Sequence, residues 1–170
     1  YSLSIGLRNT FIFALSCCVL KVTLGMLMAV VLCSGLKTQG YARAVTFFPN
    51  IVSSVAVGLT FSALMHPTKG LINDALAFLR IDGPDWLGDG RYALMSVILV
   101  EIWRGLGFTS LMYIAGIQAI PESYYEAASL DGASGLQKFW TITVPLTTSA
   151  RNSVIILSFI NGLRNFDLIW

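Results

Sequence analysis

Lys21, Glu101 and Arg104 are ionisable side chains set inside long apolar runs, and they are the first candidates for chemistry in this sequence. At the centre of a helix in lipid a lysine costs about 2.5–3.5 kcal/mol on insertion scales, so Lys21 is expected to face other helices or water. Glu101 and Arg104 stand three residues apart, a spacing that permits an ion pair on one helix face. Two readings stand for that pair: a structural tie, or part of the lining of a solute pathway. Trp103, beside them, suits either packing or stacking on a sugar ring. Farther on, Asn161, Arg164, Asn165 and Asp167 make the closing apolar segment polar in its later half. Either they line a cavity, or Asp167 pairs with Arg164.

Other reactive side chains offer less. Cys17, Cys18 and Cys33 share one apolar run, and no second pair gives metal-ligand spacing. They read as small hydrophobic residues, with no metal expected. His66, next to Pro67 at the end of an apolar run, reads as a loop residue without a role.

The elements that must position these groups follow from composition. The chain of 170 residues is 55% hydrophobic and 12% charged, with mean hydropathy +0.72. Soluble domains carry about 25% charged residues, and at this length roughly a third of the unfolded surface stays exposed after folding. Lipid is therefore the expected partner. The net charge of +2 is too small and too scattered to suggest nucleic acid. Four runs approach the roughly 20 apolar residues a transmembrane helix needs: about Phe11 to Cys33, Val45 to Met65, Tyr92 to Ile120, and Thr147 to the end. None alternates in polarity as membrane strands do. The expected fold class is all-α, a polytopic transmembrane helical bundle forming one domain. Because the chain opens at Tyr1 and closes inside an apolar stretch at Trp170, it is expected to be a piece of a longer protein. The first apolar run is too long for the core of a signal peptide.

Three loops join the runs. Ser34 to Ala44 carries Lys37 and Arg43 with no acid, which places it in the cytoplasm by the positive-inside rule. His66 to Arg91 mixes Asp74, Asp82, Asp85 and Asp89 with Lys69, Arg80 and Arg91, and suits a folded external loop with Trp86 at the interface. Parity returns Gln118 to Thr147 to the cytoplasm. Small residues at Gly25 and Ala29, Gly58 and Ser62, and Gly105, Gly107 and Gly116 mark sites of close helix approach, by packing or as a gating hinge.

The loop from 121 to 145 has the most specific local chemistry. Pro121 fits a first helical position with Glu122 in the first turn. Gly132 suits a left-handed helix end, and Ser134 with Gln137 has the spacing of a capping box. Two short helices joined by a glycine turn are predicted. The first carries Glu122, Glu126 and Asp131 without a lysine or arginine, which disfavours a helix lying on lipid. With Ala127 and Ala128 on a slim side and Tyr124, Tyr125 and Leu130 as anchors, it suits a helix laid in a protein groove, or a plain connector.

Glu126-Ala127-Ala128, Gly132, and Ile142 with Pro145 resemble the EAA motif of binding-protein-dependent ABC importer permeases. That motif usually ends Ile-x-Leu-Pro, where this chain has Ile142-Thr143-Val144-Pro145. Tyr113 to Pro121, Arg8-Asn9-Thr10 and Phe47-Phe48-Pro49 are also similar to the family, so the resemblance covers the whole chain. Leu130-Asp131-Gly132-Ala133 looks most like the carbohydrate branch, resembling maltose- and glycerol-phosphate-type permeases.

The resemblance implies a cytoplasmic coupling helix in which Glu126, Ala127, Ala128, Asp131, Gly132, Ile142 and Pro145 meet an ATPase. It implies, as partners, a second permease subunit, two cytoplasmic ATP-binding subunits and an external solute-binding protein, in a prokaryotic plasma (inner) membrane. This stretch would be the second to fifth spans of a six-span core. A substrate pathway would include Trp103, Arg104, Asn161 and Asp167. ATP would be used by the partner subunits, leaving this chain no cofactor; it lacks a Gly-rich phosphate loop and is not expected to be an enzyme. An ATP-independent secondary transporter or channel, and a membrane scaffold that anchors a cytoplasmic protein, are the competing readings.

Overall fold

The structure, a computed structural model, describes residues 2–34 and 39–164, and every regular element among them is a helix. Its longest helix, α1, runs Ser2–Cys33. Ala14, Cys17, Lys21, Gly25, Ala29 and Leu32 recur every three or four residues on one side of α1, the spacing of a single helical face. All of these are buried, whereas Leu15, Val19, Leu27 and Val31 point outward.

That inner face packs on α5 (Ala93–Gln118) and on α9 (Thr148–Arg164). The contacts are built from small residues. A Cβ on Gly25 would lie 3.1 Å from Thr109 of α5, one on Gly116 2.8 Å from Ala150 of α9, and one on Gly162 2.8 Å from the Ala14 backbone. Close backbone approach of this kind substitutes dispersion contact for a hydrophobic drive that lipid cannot supply. Gly58 is the exception to the sequence expectation, since among the described residues nothing from another element approaches it within 4 Å. Buried hydroxyls are satisfied within their own helices: Thr109 donates to the Gly105 carbonyl at 2.8 Å and Ser110 to the Leu106 carbonyl at 2.7 Å.

α1 and α5 are each long and apolar enough to cross a membrane. The segment from Val45 to Met65, expected as one span, is instead two helices, α2 (Gln39–Ile51) and α3 (Ser54–Leu64), bent by 94°. The break has local causes. Pro49 sits inside α2 and removes one helical hydrogen bond. Ser53 then turns extended, with ψ 138°, and its carbonyl accepts the Val57 amide at 3.0 Å to begin α3. Pro49 thus lies near the end of the first half rather than at the start of a span. α2 crosses α5 at Gly107, where a Cβ would run into the backbone of Thr46 and Phe47. The described part of α9 covers 17 residues of the fourth expected span.

Between α3 and α5 lies a folded loop containing α4 (Leu71–Phe78). Asn73 organises it: its amide donates to the Pro67 and Pro84 carbonyls at 3.0 and 3.3 Å, and its oxygen accepts the Trp86 indole N–H at 2.7 Å. Trp86 meets Tyr92 edge to face, and Ser96 donates to the Trp86 carbonyl. At the exposed end of this loop, the Arg91 guanidinium donates to Asp89 at 2.7 Å and holds that carboxyl below its ordinary range.

Candidate functional site

After α5 the chain forms α6 (Glu122–Leu130) and then a short α7 (Gly135–Lys138). Pro121 takes the position just before α6 rather than the first helical one, with ψ 135°. At the other end Gly132 has φ 78°, its amide donates to the Ser129 carbonyl, and the Ala133 amide donates to the Ala128 carbonyl at 2.9 Å. This is the paired bonding of a Schellman turn, and the left-handed residue is a glycine because a Cβ there is strained. The capping box at Ser134 is complete: its hydroxyl accepts the Gln137 amide, and the Gln137 side chain accepts the Ser134 amide at 2.7 Å.

Two further bonds fasten the hairpin. Lys138 Nζ donates to Ser129 Oγ at 2.6 Å, and the Tyr125 and Thr143 hydroxyls meet at 2.9 Å. α7 continues through a π-helical turn, Phe139–Thr143, into α8 (Val144–Leu146). In that turn the Val144 amide reaches back to Phe139, one residue farther than in an α-helix. Widening of this kind gives the Pro145 ring room against the preceding turn. Ile142 is half-buried in the π turn and Pro145 is exposed beyond it.

The outer surface of the hairpin is open. Glu126, Ala127, Asp131 and Gly132 are exposed and Ala128 is half-buried. Leu130 is 90% exposed, and Tyr124, Leu136 and Trp140 also stand out from the surface. With Glu122 also exposed, the hairpin therefore presents three carboxylates beside exposed apolar side chains.

A second cluster lies inside the bundle. Lys21 Nζ of α1 donates to Glu101 Oε1 of α5 at 2.7 Å, with both side chains buried. Arg104 Nη1 stands 3.7 Å from Glu101 Oε2. The pair expected from sequence, Glu101 with Arg104, is thus the looser of two, and Lys21 is the nearer partner. Gly105 makes the room, since a Cβ there would lie 2.6 Å from Lys21 Cε and Nζ. These groups line a cavity of about 160 Å³ with Asn50, Ser158 and Asn161.

Of the expected pathway residues, Arg104 and Asn161 are in this cavity wall. Trp103 is not: it is half exposed and packs edge to face on Phe61 of α3, with ring centroids 5.2 Å apart. Asp167 and Asn165 lie outside the described residues, as does Lys37. Sequence reasoning missed Asn50, whose place depends on the α2–α3 bend, and Ser158, one helical turn before Asn161 with Leu157 alongside. A polar residue every three or four positions in α9 was the available signal.

Residues 21–169 match the family model described as binding-protein-dependent transport system inner membrane component. The chain is 34% identical over 166 residues to the probable ABC transporter permease protein YurN of Bacillus subtilis, covering 95% of this chain and 57% of that protein. It is 34% identical over 151 residues to the trehalose/maltose transport system permease protein MalF of Thermococcus litoralis, covering 89% and 51%. The chain thus spans about half the length of the curated relatives it matches. Among solved structures, a chain of a bacterial ABC transporter involved in the import of the acidic polysaccharide alginate superposes with TM-score 0.85 at 22% identity, covering 92% of this chain and 56% of that one. That likeness shows a shared all-helical fold. The chain belongs to the family of binding-protein-dependent transport system inner membrane components.

Proposed function

We propose that this chain is the core of a permease subunit of an ATP-driven importer, carrying a sugar or sugar derivative across a prokaryotic plasma membrane. The observation that carries this is the hairpin: an open helix bearing Glu126 and Ala127 with Asp131 at its end, closed by a Schellman turn and followed by a second short helix that begins with a capping box. It has the shape and charge of an element that seats in a cleft of another protein. Family membership supports the same reading, and the sugar assignment draws on relatives such as the trehalose/maltose permease and an sn-glycerol-3-phosphate transport system permease protein of Agrobacterium fabrum. The partners would be a second permease subunit, two ATP-binding subunits and an external solute-binding protein. ATP would be consumed by those subunits, with no cofactor on this chain.

In this reading the ATPase cleft takes α6, Glu126 meets basic groups there, and Ala127 and Ala128 allow close seating. Closure of the ATPases moves the hairpin and, through α9, the walls of the cavity that holds Arg104 and Asn161. Solute-dependent uptake by the full transporter in proteoliposomes tests it. Glu126→Lys and Gly132→Val should each lower uptake by at least about tenfold, with the protein still present in the membrane. A cysteine in place of Tyr124 should crosslink to the ATPase. Normal uptake in both variants with no crosslink would overturn the proposal. The buried Lys21–Glu101 pair is the feature that an ATP-independent transporter would also use; solute-stimulated ATP hydrolysis by the assembly decides against that alternative.

A further inference from the structure

Thr143 departs from the habit of the other threonines. Elsewhere in the described helices each threonine hydroxyl donates to a carbonyl three or four residues back, as at Thr109, Thr141 and Thr147. Thr143 instead meets the Tyr125 hydroxyl of α6 at 2.9 Å. It does so from the π turn, where the Phe139 carbonyl takes the Val144 amide. Such turns often mark functional positions. Thr143 is only 6% exposed and Tyr125 is half-buried, so water competes little for this bond.

α6 needs a tie of this kind. At its start Pro121 has no amide hydrogen and turns extended, so the hydrogen-bond ladder of α5 does not run on into α6. At its far end the Schellman bonds belong to α6 and the capping box to α7. Among the described residues, no backbone hydrogen bond joins one of these two helices to the other. Movement of α6 can therefore be spent at two joints, Pro121 and Ala133–Ser134. Two side-chain bonds cross the gap. The one from Lys138 to Ser129 is exposed, where water offers equivalent partners. The one from Tyr125 is sheltered, and it continues inward. The Thr143 carbonyl takes the Thr147 amide at 3.1 Å and its hydroxyl at 2.7 Å, and Thr147 is buried against Gly116 of α5 at the start of α9.

We infer that Tyr125 is a positioning residue that ties α6 to α9 through Thr143, and that movement of the hairpin reaches α9 by way of this hydroxyl pair. Without the pair, α6 swings about its two joints while α9 stays where it is. The inference rests on the importer reading above and adds to it the atoms that carry the motion.

The test uses the complete transporter, with its ATP-binding subunits and solute-binding protein, in lipid nanodiscs. Spin labels are placed on Leu99→Cys of α5 and Ile160→Cys of α9, both exposed positions, with the native cysteines replaced. Their separation is measured without nucleotide and after trapping with magnesium-ATP and vanadate. The parent should show a second distance on trapping. In Tyr125→Phe, which keeps the ring, the population of that distance relative to the resting one should fall at least about threefold, the scale of one sheltered hydrogen bond. Thr143→Val should do the same, and the double variant should fall no further than either alone, as for the two ends of one bond. Vanadate trapped per complex should stay at the parent level in all of these, which a misfolded hairpin would not allow. Lys138→Met should keep the parent ratio. An unchanged ratio in both single variants, an equal fall in Lys138→Met, loss of trapping in Tyr125→Phe, or no second distance in the parent would each overturn the inference. Trapping with unchanged ratios sinks only this tie, whereas a purified complex that holds no ATP-binding subunits and traps no vanadate sinks the importer reading itself.

Discussion

Gly107 allows the α2 backbone to lie against α5, and its hydrogen fills the space a methyl group would need. Gly107→Ala must push Thr46 and Phe47 away, and forced packing of this kind typically costs about 1–3 kcal/mol. Gly58→Ala is the matched control, since among the described residues it meets nothing from another element within 4 Å. It should be neutral or stabilising by up to about 1 kcal/mol, the helix advantage of alanine over glycine. Thermal unfolding of both variants in detergent checks this; a Gly107 variant as stable as the parent would refute the close-contact account. From sequence the two glycines were indistinguishable, because each belongs to a small-residue pattern and only the third dimension says which one faces a helix. The same limit hid the partner of Lys21. Its need for company could be read from one residue in an apolar run, but Glu101 is 80 positions away. Glu101 with Arg104 was readable as a pair because they share one helix turn, yet the stronger bond proved to be the distant one.

At the scale of elements, what depends on near neighbours was legible and what depends on curvature was not. The hairpin's glycine turn and capping box involve residues at most five apart, so local chemistry specifies them. The α2–α3 bend went unseen although its local causes, Pro49 and the Ser53–Ser54 pair, stand in the sequence, because the average hydropathy from Val45 to Met65 suits a single span and carries no direction. The folded loop after α3 was recognisable in outline from its prolines, glycines and Trp86, but the amide that ties it together was not. Asn73→Ala would strand the Trp86 indole and two carbonyls, at about 1–3 kcal/mol per buried unpaired group. Limited proteolysis should then cut between Arg80 and Arg91 much faster than in the parent. The exposed Asp89–Arg91 pair behaves differently. Asp89 titrates below its ordinary value when folded, so its contribution is present above the unfolded value and fades as pH falls through the folded one. Cleavage rates of the loop should accordingly be flat between about pH 5 and 8 and rise only in stronger acid. A change near neutrality would contradict this pairing.

Over the whole molecule, the outward side chains are as apolar as the inward ones. Leu7, Phe48, Ile51, Val55 and Leu59 are exposed along α1, α2 and α3, a surface that water does not tolerate at this extent. Composition alone anticipated that, because a chain with 12% charged residues has too little polar surface to cover itself. Trp103 belongs to this outer surface rather than to the cavity, so in a variant retaining Trp103 as its sole tryptophan, brominated acyl chains should quench its fluorescence and added solute should not. The reverse result would move Trp103 into the pathway.

The hairpin is also joined to the helical bundle in a particular way. From Gly135 the backbone passes through the π turn and α8 into α9 with hydrogen bonds carried across Thr147, whose amide reaches Thr143 and whose carbonyl takes the Arg151 amide. Ser158 and Asn161 ride on that same stem. On the importer reading, a shove delivered at the hairpin would have little slack to take up before it reached Ser158 and Asn161, so the two would be geared together like a crank and its shaft.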